Sequence, residues 1–304
     1  MKRLMTAVLC LALLCGCAMR EQKTQQTVFC MDTVMELQVW GDAGEEAVSK
    51  LEELLRRLEN TWSATSQDSL LRGDRAPNDE EQAVLDRALA LHQRTGGAFD
   101  PQLHTLMEVW GFRGEGGHVP TGEQIRTALR QREWDLGGAL KGYAGEQAAA
   151  LLEGLKVDRA LLNLGGNIQT YGQKPDGSPW QIGIQNPNGG DYLGVLSVEG
   201  TMAVVTSGDY QRYFAENGVR YHHILDPKTG WPADSGLSSV TVICRNGMTA
   251  DGLSTALFVM GLEDGATFWR QSDDFEAVFV LKDGTIYATE GAKLSGCEFE
   301  VISG

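Results

Sequence analysis

Residues 135–143 read Asp135-Leu136-Gly137-Gly138-Ala139-Leu140-Lys141-Gly142-Tyr143, DLGGALKGY, and an Ala-rich run, AGEQAAALLEGL, follows directly. The stretch has the place of a helix start, yet a helix interior gives up about 1 kcal/mol for each glycine it holds in place of alanine. Two readings are open from these residues alone. In one, the stretch is a capping turn and Lys141 is a solvated surface lysine. In the other, the glycines let something come close to the backbone, and the N–H groups and dipole of the new helix face an anion. The glycine spacing fits neither a Walker loop nor a dinucleotide-binding fingerprint.

The flanking sequence sets the fold class. Downstream, RALLNLGGNIQTYG (159–172) reads as a strand whose tip is a Gly-Gly-Asn turn, and WQIGIQNP and GVLSVEGTMAVVTSG alternate as strands do. SSVTVICRN is a further strand, and AVFVLKDGTIYAT is a hairpin turning at Asp283-Gly284. TADGLSTALFVMG (249–261) is a helix with Gly261 at its C-terminal end. Upstream, VFCMDTVMELQVW (28–40) is a strand and residues 45–60 form an amphipathic helix. A second helix over 78–95 opens with the Asn78/Glu81 capping-box pattern; a turn and short helix occupy 96–112, and another helix spans 122–132. Strands and helices mix without a βαβ rhythm. This predicts an α+β fold of mixed or antiparallel sheets with packed helices, in one domain over residues 28–304.

The net charge of −15 excludes a nucleic-acid-binding surface, so an anionic ligand needs a local lysine, a helix start or a metal. At the N-terminus, Lys2 and Arg3 precede an apolar run that is too short to span a bilayer and ends in Leu14-Cys15-Gly16-Cys17. That ending resembles the lipobox of bacterial lipoproteins. It implies a signal peptide over 1–16, lipidation of Cys17 and a lipid-anchored tether over 17–27. The alternative is an ordinary secretory signal. Cys30, Cys244 and Cys297 are an odd number without metal-like spacing, which points to buried free thiols.

Two further segments hold polar groups suited to chemistry. Asp251, Ser254 and Thr255 stand at i, i+3 and i+4, one face of a helix, and offer oxygen ligands of the kind Mg²⁺ takes. Alternatively, Asp251 caps the helix and the hydroxyls bond backbone carbonyls. In RYHHILDPKTGWP (220–232), His222 and His223 face opposite ways if the segment is a strand, so one of them can act as a base in a site. Thr206, Ser207 and Gly208 either bind phosphate oxygens or cap a helix.

Met31-Asp32-Thr33, GGAFDP (96–101), Trp110-Gly111-Phe112, DLGGALKGYA, NLGGNI (163–168), TSGDY (206–210), YHHILDPKTG (221–230) and TADGLSTALFVMG occur in one order. Together they resemble the successive motifs of the ApbE-like FAD:protein FMN transferases, over about residues 28–290. The resemblance implies a T-fold-like architecture. It also implies a Mg²⁺-dependent enzyme that moves FMN from FAD onto a Thr or Ser hydroxyl of an acceptor flavoprotein, such as a membrane redox-complex subunit, and releases AMP. Members are often lipoproteins of the bacterial envelope, anchored outside the cytoplasmic membrane. By correspondence, Gly138, Asp251, Ser254 and Thr255 hold the metal. Met31, Ala98, Phe99, Asp100, Asp135 and Lys141 line the FAD site, with Thr206, Ser207 and Gly208 near the phosphates. His223 takes the proton of the incoming hydroxyl. A Mg²⁺-dependent FAD pyrophosphatase and a non-catalytic flavin-binding lipoprotein are the alternatives. The chain departs from the family in the short stretch from Arg113 to Trp134, where members usually carry a hairpin, and in Asp32, where many have glycine.

Overall fold

The computed structural model describes residues 22–114 and 116–304. The expected signal peptide, the lipidation site Cys17 and the first residues of the tether lie outside the described residues. In chain order the elements are β1 (Lys23–Cys30), β2 (Thr33–Trp40), α1 (Gly44–Trp62), α2 (Asp79–Arg94), α3 (His104–Val109), α4 (Gly122–Ala128) and α5 (Leu140–Glu153). Then follow β3 (Arg159–Asn163), β4 (Asn167–Tyr171), β5 (Trp180–Ile184), β6 (Gly194–Val198), β7 (Ala203–Gly208), β8 (Tyr213–Glu216), β9 (Val219–His222) and β10 (Leu237–Cys244). The chain closes with α6 (Gly247–Arg270), β11 (Phe275–Leu281), β12 (Ile286–Thr289), β13 (Leu294–Ser295) and β14 (Glu300–Ile302).

Among the described residues the main sheet has nine strands in the order β1-β2-β3-β4-β7-β10-β11-β12-β14. Its neighbours are antiparallel except β12 and β14. This is the α+β architecture expected. Alternation along the strands makes two cores. Val205, Val240, Val242 and Phe279 pack with α1, α5 and α6 on one face. Val204, Ile243, Val278 and Val280 pack on the other face under the small sheet β13-β6-β5. A third cluster, around Trp110, joins α3 and α4 to Leu225. It is tied by the Trp110 indole N–H donating to the Gly230 carbonyl at 2.8 Å. No helix among the described residues is long and apolar enough to cross a membrane.

Several expectations needed correction. The segment 28–40 is not one strand but the end of β1, a two-residue turn and β2 of a hairpin. Met31 and Asp32 take left-handed φ of 52° and 58° and turn the chain, so that Cys30 pairs with Thr33 and Lys23 with Trp40. Residues 23–27, read as tether, are therefore the outer part of β1. The turn has no local sequence signal, because left-handed two-residue turns usually carry Asn-Gly or Asp-Gly and this one is Met-Asp. Gly261 does end a helix, with φ 82°, but the chain resumes helical geometry to Arg270. The helix expected over 122–132 stops at Ala128. The 78–95 helix has both halves of its capping box.

The short stretch before Asp135 leaves no loose end. Leu103 and Glu133 form a parallel bridge, and the Asp135 N–H donates to the Pro101 carbonyl at 2.8 Å. Arg72 donates to the Trp134 carbonyl and to the Glu133 carboxylate. Cys30 and Cys244 are buried free thiols as expected, and Cys297 is free but half-buried.

Candidate active site

The DLGGALKGY segment forms a turn and then α5. The Leu136 carbonyl accepts from the Ala139 and Leu140 N–H groups, at 2.9 and 2.8 Å, which starts the helix without a side-chain cap. The Asp135 carboxylate lies beneath the turn. It accepts from the Gly137 N–H at 2.8 Å and from the Arg113 Nε at 2.8 Å, with a second bond from Arg113 Nη2. Burial by itself pushes this carboxyl up. The Arg113 guanidinium and the Gly137 N–H outweigh burial and hold it below the usual carboxylate range.

The glycines have two different partners. Gly138 packs against Phe99 and Thr255, and a Cβ there would lie 3.4 Å from the Thr255 hydroxyl. Gly142 meets α6: a Cβ there would overlap the Gly247 carbonyl oxygen and lie 2.6 Å from the Asp251 Cβ. The Gly142 N–H donates to Asp251 Oδ2 at 2.8 Å. The anion at the start of α5 is thus a carboxylate of the protein itself. An N-terminal dipole and free N–H groups favour such an arrangement.

Asp251 does not cap α6. Asn246 does, accepting from the Thr249 N–H at 2.8 Å. Asp251 is one turn further in and buried. Burial raises its carboxyl above the ordinary value, against the pull of Lys141 and the Gly142 N–H. A buried carboxylate that its neighbours only partly offset favours a further cation. The oxygen groups around it are of the hard type Mg²⁺ accepts. Thr255 Oγ1 is 3.3 Å from Ser207 Oγ, which is 2.7 Å from Ser254 Oγ, and Ser254 donates to the Asp251 carbonyl at 2.8 Å. Ser254 therefore supports the turn of helix from behind, while Thr255 faces the cleft. Asp251, Thr255 and Gly138 fit a magnesium ion by donor chemistry.

Thr255 and Gly138 border a cleft of about 830 Å³, a size suited to a nucleotide ligand, while Asp251 and Ser254 lie behind its wall. Met31, Ala98, Phe99, Asp100, Asp135, Gly138, Lys141, His223 and Thr255 all line it. Met31 is held in its left-handed conformation by its N–H donating to Glu59 Oε1 at 2.6 Å. The Asp100 carboxylate takes a two-pronged bond from Arg132, at 2.6 and 2.9 Å.

The TSG segment departs from expectation. Successive residues of β7 face opposite ways. Thr206 points to the small-sheet side, with its hydroxyl 2.8 Å from that of Thr241. Ser207 lies behind Ser254 and Thr255. Gly208 lies under the Tyr210 ring, which a Cβ there would strike at 2.6 Å. None of the three lines the cleft, whereas the residues just after them, Tyr210, Gln211 and Arg212, do.

The two histidines separate as the strand geometry demands. His222 is buried, with Nε2 3.1 Å from the Ala233 carbonyl and its ring edge-on to Phe258. His223 faces the cleft, and its Nδ1 is 3.1 Å from the Arg212 carbonyl. A carbonyl only accepts, so Nδ1 carries the hydrogen and Nε2 keeps its lone pair. Burial, then the charges of Arg212 and Lys141, press the imidazole down to about 3, so the ring is neutral at physiological pH. Sequence reasoning missed Arg113, Arg212 and Glu59. The only signal was the placing of two arginines directly after WGF and SGDYQ in an acidic chain.

Comparison with known proteins places this geometry in context. Residues 31–279 match the model of the ApbE family. A FAD:protein FMN transferase of Treponema pallidum is 30% identical over 334 residues, covering 94% of this chain and 92% of its own length. One from Klebsiella pneumoniae is 34% identical and covers 69% of this chain and 72% of its own. Among solved structures, the ApbE protein of Thermotoga maritima superposes with a TM-score of 0.81 at 32% identity, covering 88% of this chain and 97% of that one. The flavinyl transferase ApbE of Pseudomonas stutzeri, in its apo form, gives 0.75 at 29% identity, covering 91% and 95%.

Proposed function

Because the chain belongs to the ApbE family, we propose that it is an enzyme that transfers FMN from FAD to a Thr or Ser hydroxyl of an acceptor flavoprotein, releasing AMP with the help of Mg²⁺. The observation that carries this reading is the pairing of two groups across one cleft. On one side is a neutral His223 with a free Nε2. On the other are Thr255 and Gly138, with Asp251, buried and only partly offset, one helical turn behind Thr255. A protein that only bound flavin would need neither.

The chemistry follows from these groups. A hydroxyl of the acceptor gives its proton to His223 Nε2 as its oxygen bonds to the FMN-side phosphorus. The P–O bond to the bridging oxygen breaks, and AMP leaves with that oxygen. The Arg212 carbonyl fixes the His223 tautomer in which this transfer is possible. Bound phosphates would offset the positive charges that now depress the imidazole, making it a better base. Lys141 brings positive charge to phosphates in a protein of net charge −15. A magnesium ion held by Asp251, Thr255 and the Gly138 carbonyl would act as Lewis acid on the pyrophosphate oxygens. Phe99 and Met31 offer apolar surface to the rings, and the Gly137–Gly138 turn admits the ligand close to the backbone.

The test is mass spectrometry of an acceptor protein incubated with the full chain, FAD and Mg²⁺. An FMN adduct together with free AMP is expected. Free FMN and AMP without adduct would replace the transferase with a pyrophosphatase, and bound but intact FAD would replace it with a flavin-binding protein. The leader sequence supports a lipid anchor at Cys17 that holds the enzyme in the cell envelope outside the cytoplasmic membrane, facing a membrane redox subunit as acceptor. Cys17→Ser should abolish incorporation of labelled palmitate and move the protein from the membrane to the soluble fraction.

A further inference from the structure

The short stretch between the WGF and DLGG motifs starts at Arg113 and ends against Asp135, and these two residues are joined. The guanidinium meets the carboxylate with two donors, Nε to Oδ2 at 2.8 Å and Nη2 to Oδ1. Both side chains are largely shielded from solvent, at 13% and 5% exposure. The same Oδ1 accepts the Gly137 N–H at 2.8 Å. Gly137 lies so close to the pair that a Cβ there would be 3.0 Å from Asp135 Oδ1 and 2.6 Å from Arg113 Nη2. Guanidinium, carboxylate and turn form one packed unit, and both charged residues line the cleft. The next residue, Gly138, rests against Thr255 and Phe99.

From this geometry, and resting on the flavin-transferase reading above, we propose that Arg113 is a positioning residue. It clamps Asp135 and so fixes the Gly137–Gly138 turn at the distance from Thr255 that the phosphate-bearing substrate requires. A planar fork suits this role. Lysine would bring the charge to one point but could not hold both carboxylate oxygens. The clamp also closes the stretch 113–135 at its two ends.

The test uses the full chain and two variants. Arg113→Lys keeps the charge, and the double variant Arg113→Met/Asp135→Asn leaves no lone charge buried. Hydrogen–deuterium exchange of residues 136–139 is read against peptides of α6, which report whether the fold is kept. Exchange at 136–139 should rise about tenfold in the double variant, with α6 unchanged. In FMN transfer, kcat should fall about 10–100-fold while KM for FAD moves less than about threefold, and Arg113→Lys should fall between wild type and double variant in both measurements. Wild-type exchange at 136–139 in the folded variants, or a wild-type kcat, overturns the proposal. If the double variant does not fold, Arg113→Lys alone decides by the same two measurements. A wild-type chain that makes no FMN adduct would defeat the transferase reading, and the exchange comparison would still decide the clamp.

Discussion

Replacing Gly142 by alanine adds one methyl group at the crossing of α5 and α6. On helix propensity alone the change should gain up to about 1 kcal/mol. Packing opposes it. The new Cβ would lie 2.7 Å from the Gly247 carbonyl carbon and 2.6 Å from the Asp251 Cβ. Ordinary carbon contacts are about 3.5–4.0 Å, so the helices must part by about 1 Å. Gly247 cannot relieve the strain by a rotamer change, because the obstruction is backbone. Overpacking of this kind costs about 1–3 kcal/mol, and weakening the bond from the Gly142 N–H to a buried carboxylate costs about 1.5–3 more. The net expectation is about 2–4 kcal/mol of destabilisation, or a Tm about 3–7 °C lower for a domain of this size. Calorimetry of the full chain measures the stability. FMN-transfer assays across a Mg²⁺ series measure the site, where a higher Mg²⁺ requirement is expected because Asp251 moves. An unchanged or raised Tm with an unaltered Mg²⁺ dependence would refute the argument that these glycines exist for the helix crossing.

Three other outcomes are expected. Asp251→Asn keeps an acceptor for the Gly142 N–H and removes a costly buried charge, so Tm without Mg²⁺ should hold or rise, while Mg²⁺-dependent turnover should drop by about 100-fold or more; retained turnover sinks the metal assignment. Because His223 titrates near 3 in the folded chain and near 6.5 when unfolded, protons bind the unfolded state first, and stability should rise with pH between those values and level off above. His223→Gln should reduce the gain in unfolding free energy between pH 5 and 7 by about 1–2 kcal/mol, measured by urea titration at both pH values, and an identical gain would contradict a buried neutral ring. Asp32→Gly should stabilise the β1–β2 hairpin by about 0.5 kcal/mol, seen in the urea midpoint, since glycine adopts the left-handed φ of 58° without strain; a lower midpoint would count against the strain argument.

Most helices and strands were legible because apolar residues repeat at periods of 3.6 and 2, as in α1 and β5. The Asn78 cap was legible for a local reason, since its partner Glu81 is three residues away. The turn at Met31-Asp32 was not, because its left-handed residues are held from outside. Glu59 of α1 takes the Met31 N–H, a partner 28 residues away in the chain. In the candidate site, helical spacing put Asp251 and Thr255 on one face of a helix, and strand alternation left one of His222 and His223 to face the cleft; the structure turns His223 toward it. Thr206 is polar and sits in a motif, yet strand alternation turns it to the small-sheet side, away from the cleft.

The sequence by itself determined the classes of element, the α+β mixture, the order of the motifs and, through their resemblance, the family. Each of these depends on residues near one another in the chain or on the order of short segments. The tertiary structure alone decided what the DLGGALKGY glycines are for. Gly137 admits the guanidinium of Arg113, Gly138 faces Thr255, and Gly142 receives α6 and gives its N–H to Asp251. Such roles belong to contacts between residues 24 to 117 positions apart in the chain, and no local periodicity encodes a distance of that kind.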